Sequence, residues 1–316
     1  MAAALALGER GVGRTGNNPS VGCIIINDDK VVGRGWTQAG GRPHAEAMAL
    51  EQAGEAARGA TVYVTLEPCA HVSERGPTCS DLLIAAKPKH IVVALEDPDP
   101  RTAGQGIAKL RERGIEVTSG VMPSEARAAL AGFISRIKRK RPLVTLKLAT
   151  SLDGAIATAD GSSRWISGEV SRAHAHIERA RCDAILVGAG TVRADAPTLD
   201  VRLPGLPDRS PRRVMLGSGD APKGWECLAK PGDIGLLDCN CLLVEGGAIT
   251  AASFLKANLV DRLVLYRAPI IIGGGKPCIG DIGLSVLDDA HGTWRLTDSR
   301  RLGTDQLEVY EKTKFE

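Results

Sequence analysis

The sequence predicts an α/β protein built from two domains, and three observations carry this. Runs of β-branched residues alternate with stretches of helical Ala and Leu spacing through the first half, the pattern of a sheet with helices on its faces. A basic helix end followed by Pro142 divides the chain near its middle. A length of 316 residues suits two domains of about 150 residues each.

Taken in order, Met1 to Arg10 reads as an amphipathic helix and lacks the charged start of a signal peptide. Val21-Gly-Cys-Ile-Ile-Ile26 and Val31-Val-Gly-Arg-Gly-Trp36 read as a hairpin across Asn27-Asp-Asp-Lys30. A helix is expected over 44–56. The strand Thr61-Val-Tyr-Val-Thr65 leads into Leu66-Glu-Pro-Cys69. Pro68 suits a first helical turn, which places Cys69, like the His44 segment, at a helix N-terminus where the dipole favours thiolate. His90–Ala94 and Ile115–Thr118 read as strands around a helix over 104–113, and the alternation implies a largely parallel sheet. Arg136 to Arg141 holds five basic residues in six. Cations suit a helix C-terminus, so this run reads as a solvated helix end, with one domain over 1–141 and the next over 142–316. The second domain opens with a strand at Leu143–Ala149 and later offers Leu242-Leu-Val-Glu-Gly-Gly-Ala248. That is a strand, a glycine turn and a helix start, where free N–H groups can hold a phosphate.

Composition narrows the function. A net charge of +3 is too mild to imply a nucleic-acid partner. No apolar run reaches the ~18 residues of a membrane span. The eight cysteines form no short-spaced secreted framework, so reduced thiols in a cytoplasm are expected. Gly188-Ala-Gly190 lacks the third glycine of a dinucleotide fingerprint, because Arg193 stands there.

The chemistry concentrates at His44-Ala-Glu46, Pro68-Cys69 and Cys79. One imidazole and two thiols supply three ligands of a tetrahedral zinc, leaving the fourth position for water. Glu46 reads as a proton carrier beside the metal rather than a ligand. This is the layout of the zinc nucleobase deaminases, whose cysteines are usually two residues apart. Here nine residues separate them. A closed structural zinc would need a fourth protein ligand, and His71 is the nearby candidate; a substrate-shaping role suits it better. Asn18 reads either as a donor to substrate or as a turn former. His90, His174, His176 and His291 read as core or surface residues.

Thr15-Gly-Asn-Asn-Pro-Ser-Val-Gly-Cys23, His44-Ala-Glu46, Tyr63-Val-Thr-Leu-Glu-Pro-Cys-Ala-His71, Asp97-Pro-Asp-Pro100 and Ser151-Leu-Asp-Gly154 together resemble the bifunctional riboflavin-biosynthesis deaminase/reductase family, in which a long loop between the zinc cysteines is usual. The resemblance implies an N-terminal cytidine-deaminase-like three-layer domain and a C-terminal dihydrofolate-reductase-like domain. It implies zinc on His44, Cys69 and Cys79, and NADPH against Ala149, Trp165, Thr191, Asp195, Ser218, Gly247, Ala248, Ile249, Thr250, Ala251, Ala252 and Ser253. It places Ser163, Arg179, Leu199, Arg202 and Glu245 against substrate, Arg179 and Arg202 being suited to a 5′-phosphate. Lys147 is expected to orient or polarise the reacting centre, unless it is only a solvated lysine at a strand edge. The implied reactions are hydrolytic deamination of 2,5-diamino-6-ribosylamino-4(3H)-pyrimidinone 5′-phosphate and NADPH-dependent reduction of its ribosyl group to ribityl. The expected partners are this pyrimidine nucleotide and further copies of the chain, without nucleic acid or membrane.

The chain departs from that family in places. Asn17 stands for Pro, Asp99 for Asn and Gly217 for Asp, and Ser73-Glu-Arg-Gly-Pro-Thr78 replaces a different loop. Between Ser218 and Leu242 lies only a Gly-, Pro- and Asp-rich stretch, where the family has room for two more sheet-and-helix elements. A monofunctional deaminase with a degenerate second domain is therefore the alternative. A nucleic-acid deaminase would not need Ser151–Gly154 or the glycine turn, and a non-catalytic zinc scaffold would not need Glu46.

Overall fold

The computed structural model describes residues 1–71 and 76–313; Ser73, Glu74 and Arg75 of the altered loop lie outside them. The chain divides into two compact units, Met1–Lys140 and Arg141–Glu316.

The first unit runs α1 (Ala2–Gly8), β1 (Gly22–Asn27), β2 (Lys30–Trp36), α2 (Ala45–Ala53), β3 (Thr61–Val64), α3 (Cys79–Ala86), β4 (His90–Val93), α4 (Gln105–Glu112), β5 (Glu116–Ser119), α5 (Pro123–Ala129) and α6 (Ala131–Arg139). Its sheet has the order β2-β1-β3-β4-β5. Only β3, β4 and β5 are mutually parallel; β1 is antiparallel to both neighbours. The expected largely parallel sheet is thus a mixed one, because the short turn at Asp28-Asp29, both at positive φ, can join only antiparallel strands.

Two glycines set the layers. A Cβ on Gly22 would lie 1.9 Å from the Ala4 carbonyl oxygen in α1, and one on Gly35 would lie 2.0 Å from that of Ala45 in α2. Gly35 pairs with Cys23, and successive strand residues face opposite sides. Helices α1 and α2 therefore cover opposite faces, giving three layers around a core that includes Ile25, Val62, Ile91, Leu83 and Leu110. The basic run ends α6 as expected, with Lys140 in a left-handed cap.

The second unit comprises β6 (Leu143–Thr150), β7 (Ala155–Ala157), α7 (Glu169–Ala180), β8 (Ala184–Gly188), α8 (Ala189–Asp195), β9 (Arg212–Leu216), β10 (Glu226–Leu228), β11 (Cys241–Val244), α9 (Ala248–Lys256), β12 (Arg262–Arg267), β13 (Lys276–Pro277), β14 (Trp294–Leu302) and β15 (Asp305–Lys312). Its main sheet has the order β10-β9-β8-β11-β6-β12-β15-β14. The first six strands of that order are parallel, and β15 and β14 follow antiparallel. Residues 219–240 hold the three-residue strand β10 and a 3-10 helix, Pro231–Leu236, whose Ile234 enters the core.

The pleat of β6 sorts this unit's chemistry. Val144, Leu146 and Leu148 face a core closed by Ala251 and Phe254 of α9. Ala149 packs in another cluster with Tyr266 and with Ala175 of α7. Lys147 shares that second face, and β6 lies inside the sheet, so Lys147 is no edge lysine. The parallel strands β6, β8, β11 and β12 point the same way, β11 ending at Val244 level with Leu146 while β6 and β12 run on to Thr150 and Arg267, and ligand sites form beyond such carboxyl ends. Among the described residues no helix is long and apolar enough to cross a membrane.

Candidate active sites

The first site begins with how α2 is seated. Glycines at 33 and 35 let it lie directly on β2, with Cβ positions only 2.2 and 2.0 Å from the carbonyl oxygens of Ala49 and Ala45. That fixes His44 at the N-cap and Glu46 in the first turn. His44 Nδ1 lies 3.2 Å from Cys79 Sγ and 3.6 Å from Cys69 Sγ. The three ligand atoms fall within 4.8 Å of one another. Two sulfurs and an imidazole nitrogen converging on one point fit a zinc ion.

One expectation is corrected here. Cys69 does not start a helix; it sits in an extended turn after β3. Cys79 opens α3 instead, because Thr78 caps that helix by accepting from the Asp81 amide. The dipole still reaches Cys69, whose sulfur accepts from the Cys79 N–H at 3.3 Å. Ser80 holds the segment by bonding the Cys69 carbonyl through both its amide and its hydroxyl.

The electrostatics follow from this packing. Hydrogen bonding from the Cys79 thiol, opposed by burial, pulls Cys69 down to about 4. Cys79 is pushed up by the same bond and by burial, so the pair gives up its first proton easily and keeps its second. Burial would lower His44, but Cys69 and Glu46 lift it above its ordinary value. Glu46 is buried, and desolvation, opposed by His44, raises it to about 7. A carboxyl titrating near neutrality can both take and return a proton.

Around this centre, His71 Nδ1 is 3.1 Å from the Thr102 hydroxyl. Asp99 accepts from the Arg101 side chain and amide, which holds it below the usual carboxylate range. Burial raises neighbouring Asp97 to about 6. The Asn18 amide bonds the Thr15 carbonyl, and a Cβ on Gly41 would strike it; it serves its turn and packs over Gly41. Sequence reasoning missed Glu67. Its buried carboxylate accepts from the amides of Asp97, Gly104 and Ile107, so it holds the start of α4 and the 97–102 loop beside His71. An acidic residue ahead of Pro-Cys was the available signal.

The second site lies at the carboxyl edge of the larger sheet. Glu245, just past β11, receives two bonds from Arg179 of α7, Nε to Oε1 at 2.7 Å and Nη2 to Oε2 at 2.9 Å. Lys147 Nζ is 3.7 Å from Glu245 Oε2 and 5.7 Å from the Tyr266 ring centroid. Burial would raise Glu245, but Lys147 and Arg179 bring it down to about 2. Arg179 Nη1 also donates to the Asp200 carbonyl, so this guanidinium is partly engaged within the protein. Arg202 is more exposed and pairs with Asp200 and Thr198. His176 Nδ1 lies 3.2 Å from the Asp200 carbonyl, and His174 lies 2.8 Å from the Tyr266 hydroxyl. Both were read only as core or surface residues. The i, i+3 spacing of His176 and Arg179 was the signal that these two share a face of α7.

The glycine turn separates into two roles. A Cβ on Gly246 would lie 2.5 Å from Thr250 Cβ, so Gly246 exists for close packing, whereas Gly247 faces open space. Gly247 caps α9, and Ala248, Ile249 and Ser253 lie on its less buried side, Ile249 being 86% exposed. Thr250, Ala251 and Ala252 are buried, so they meet a ligand only through backbone groups. Leu199 is buried too, at positive φ. Ala149 is the last but one residue of β6, Ser218 follows β9, and Thr191 and Asp195 lie on α8, all toward the carboxyl edge. Ser163 and Trp165 occupy an exposed loop, and Arg172 of α7 lies over the Trp165 ring at 4.8 Å. All eight cysteines are free thiols.

Comparison with known proteins matches a family to each unit. Residues 1–95 match the family described as the cytidine and deoxycytidylate deaminase zinc-binding region. Residues 142–223 and 236–307 match the RibD C-terminal domain; the break falls in the short stretch carrying β10 and the 3-10 helix. The riboflavin biosynthesis protein RibD of Aquifex aeolicus is 40% identical, covering 92% of this chain and 91% of the relative. That of Escherichia coli is 37% identical, with 96% of each covered. The solved Acinetobacter baumannii RibD superposes with a TM-score of 0.89 at 34% identity, covering 99% of this chain and 97% of the other. A Thermotoga maritima diaminohydroxyphosphoribosylaminopyrimidine deaminase/5-amino-6-(5-phosphoribosylamino)uracil reductase superposes with a TM-score of 0.87 at 31% identity and the same coverage.

Proposed function

The chain belongs to the RibD family of riboflavin-biosynthesis proteins, and from that premise we propose which of its residues perform the family's deamination and reduction, and on what. The protein is a zinc deaminase and an NADPH-dependent reductase. Its substrate is 2,5-diamino-6-ribosylamino-4(3H)-pyrimidinone 5′-phosphate, deaminated at C2 and then reduced at C1′ of the ribosyl group. The convergence of His44, Cys69 and Cys79 with buried Glu46 beside them carries this reading.

Zinc on those three ligands supplies a Lewis acid and a water acidic enough to react near neutral pH. Glu46 takes the proton of the attacking water and passes it to the departing amino group, which leaves as ammonia. Its burial keeps bulk water from competing for that proton. His71, held by Thr102, and Asn18 face the substrate, while Glu67 fixes the loop behind His71.

In the second unit NADPH supplies a hydride, and Gly247 with the first turn of α9 receives its phosphates. Ala149, Trp165, Thr191, Asp195 and Ser218 complete the cofactor wall. Lys147, 3.7 Å from Glu245, orients the reacting carbon. Arg179 holds Glu245, and the more exposed Arg202 meets the substrate phosphate, with Ser163 and Leu199 alongside. Free cysteines suit a reducing cytoplasm. The working enzyme is a homo-oligomer for which exposed Leu284, Val286 and Leu287 offer apolar surface; sedimentation tests that. Incubation with the diaminopyrimidinone nucleotide, with and without NADPH, followed by product mass, tests the whole reading. Deaminated product without NADPH and reduced product with it are expected. Deamination alone under both conditions would leave the second unit without its activity.

A further inference from the structure

The Ser151-Leu-Asp-Gly154 turn has no part in the chemistry above, yet it follows the strand that carries Lys147 and is tied to a distant glycine-rich segment. The Asp153 carboxylate accepts from the amides of Ile272, at 3.2 Å, and Gly273, at 2.8 Å. Two backbone bonds flank it: the Leu152 amide donates to the Ile270 carbonyl at 2.8 Å, and the Cys278 amide donates to the Gly154 carbonyl at 2.9 Å. Between them β13 pairs with β7.

The glycines of the segment have separate reasons. Gly273 and Gly274 take positive φ, which glycine adopts without strain. A Cβ on Gly275 would lie 2.5 Å from the Ala157 carbonyl oxygen, so this glycine lets the segment lie flat on β7. Beyond it, Cys278 and Ile279 pack against the core under α9, and the Gly280 amide donates to the Ala248 carbonyl at 3.1 Å. The segment is therefore a strap. One end is pinned to the turn after the Lys147 strand, and the other to the first turn of α9, beside Gly247.

We propose that Asp153 is a positioning residue of the reductase. By fixing the strap over 270–280 it holds the first turn of α9 in register with the Lys147 strand, and so sets cofactor affinity without touching the reacting atoms. This rests on the reading of Gly247 and α9 as the NADPH phosphate site. Removing the carboxylate releases two strap amides at an exposed position, which loosens the strap while the strands beneath it stay formed. A loosened positioning element weakens the ground-state complex and leaves the bond-making group in place, so KM rises while kcat holds.

The test uses full-length protein bearing Asp153→Ala and Asp153→Asn, with three readouts: NADPH binding by fluorescence, steady-state reduction of the deaminated nucleotide, and hydrogen exchange over 270–276. The expected result is an NADPH Kd and KM raised about ten-fold in the alanine variant, kcat within about two-fold, and faster exchange across the strap. The asparagine variant, which keeps one acceptor, should fall between. Deamination, measured on the same samples, should not change. Unchanged NADPH binding in the alanine variant overturns the proposal, as does a fall in kcat at constant KM. If the parent protein itself binds no NADPH, the reading of the α9 site fails. Faster strap exchange in that protein's alanine variant would then leave Asp153 a purely structural clasp, contrary to the proposal.

Discussion

Replacing Glu46 by Gln isolates the proton carrier from the metal it sits beside. Gln has the volume of Glu, and Glu46 is only 3% exposed, so the substitution removes an ionisable group and little packing. The ligand atoms of His44, Cys69 and Cys79 already lie within 4.8 Å of one another without help from Glu46, so zinc should stay bound at one per chain. Loss of a positioned general acid–base costs about 10²- to 10⁴-fold in rate, which is about 3–5 kcal/mol of barrier at 1.36 kcal/mol per tenfold. The upper half of that range is expected, since burial denies bulk water the role and the nearest sulfurs are committed as ligands. Metal analysis by mass spectrometry, ammonia release and a thermal melt together make the assay. A Gln variant that loses zinc while it still turns over would refute the assignment, and so would one that keeps both.

Other outcomes follow from the same geometry. Chelation of zinc should abolish deamination and leave NADPH-dependent reduction of the deaminated nucleotide intact; loss of both, by product mass, contradicts separate sites. Gly35→Ala puts a Cβ 2.0 Å from the Ala45 carbonyl oxygen. Overpacking of this kind costs about 1–3 kcal/mol and should lift α2, so zinc affinity and deamination fall while reduction persists, as equilibrium dialysis and activity can show. Glu245 has a folded pKa near 2 against an ordinary 4.5. The folded value is the lower one, so its stabilisation is present above pH 4.5 and lost as pH falls toward 2, worth on the order of 3 kcal/mol. Urea unfolding should find Glu245→Gln less stable at pH 7, with the gap closing across that window; a gap independent of pH would contradict it.

The zinc site was legible because its information is local. His44 and Glu46 occupy one helical turn, and thiols beside an imidazole have few other uses. What the sequence reading misplaced was the helix start. Pro68 permits a first turn but does not cap one, whereas Thr78-Cys-Ser-Asp81 carries both a capping hydroxyl and an acid in the first turn. The cap was the stronger signal, and it puts Cys79, not Cys69, at N1. The mixed sheet has a similar cause: a two-residue hairpin turn fixes antiparallel pairing locally, against a prior drawn from the alternation that follows. Glu67 was legible only as an acid ahead of Pro-Cys; its three amide partners come from residues 97, 104 and 107, and nothing in spacing alone brings those to one carboxylate.

The reductase pocket differs because its residues meet only through the sheet. Lys147, Arg179 and Glu245 come from β6, α7 and the turn after β11, and no spacing links them. Sequence reasoning gave Arg179 to a phosphate because a guanidinium fork suits one. In the fold Nε and Nη2 of that fork pair with Glu245, and Nη1 donates to the Asp200 carbonyl. A carboxylate between two cations holds each in place, so Glu245 organises the pocket. Arg202 is exposed, and its side chain pairs with Asp200 and Thr198. The two arginines that look alike in sequence thus sit differently, Arg179 braced against Glu245 and Arg202 exposed beside Asp200. What separates them is one acidic residue placed by the end of β11.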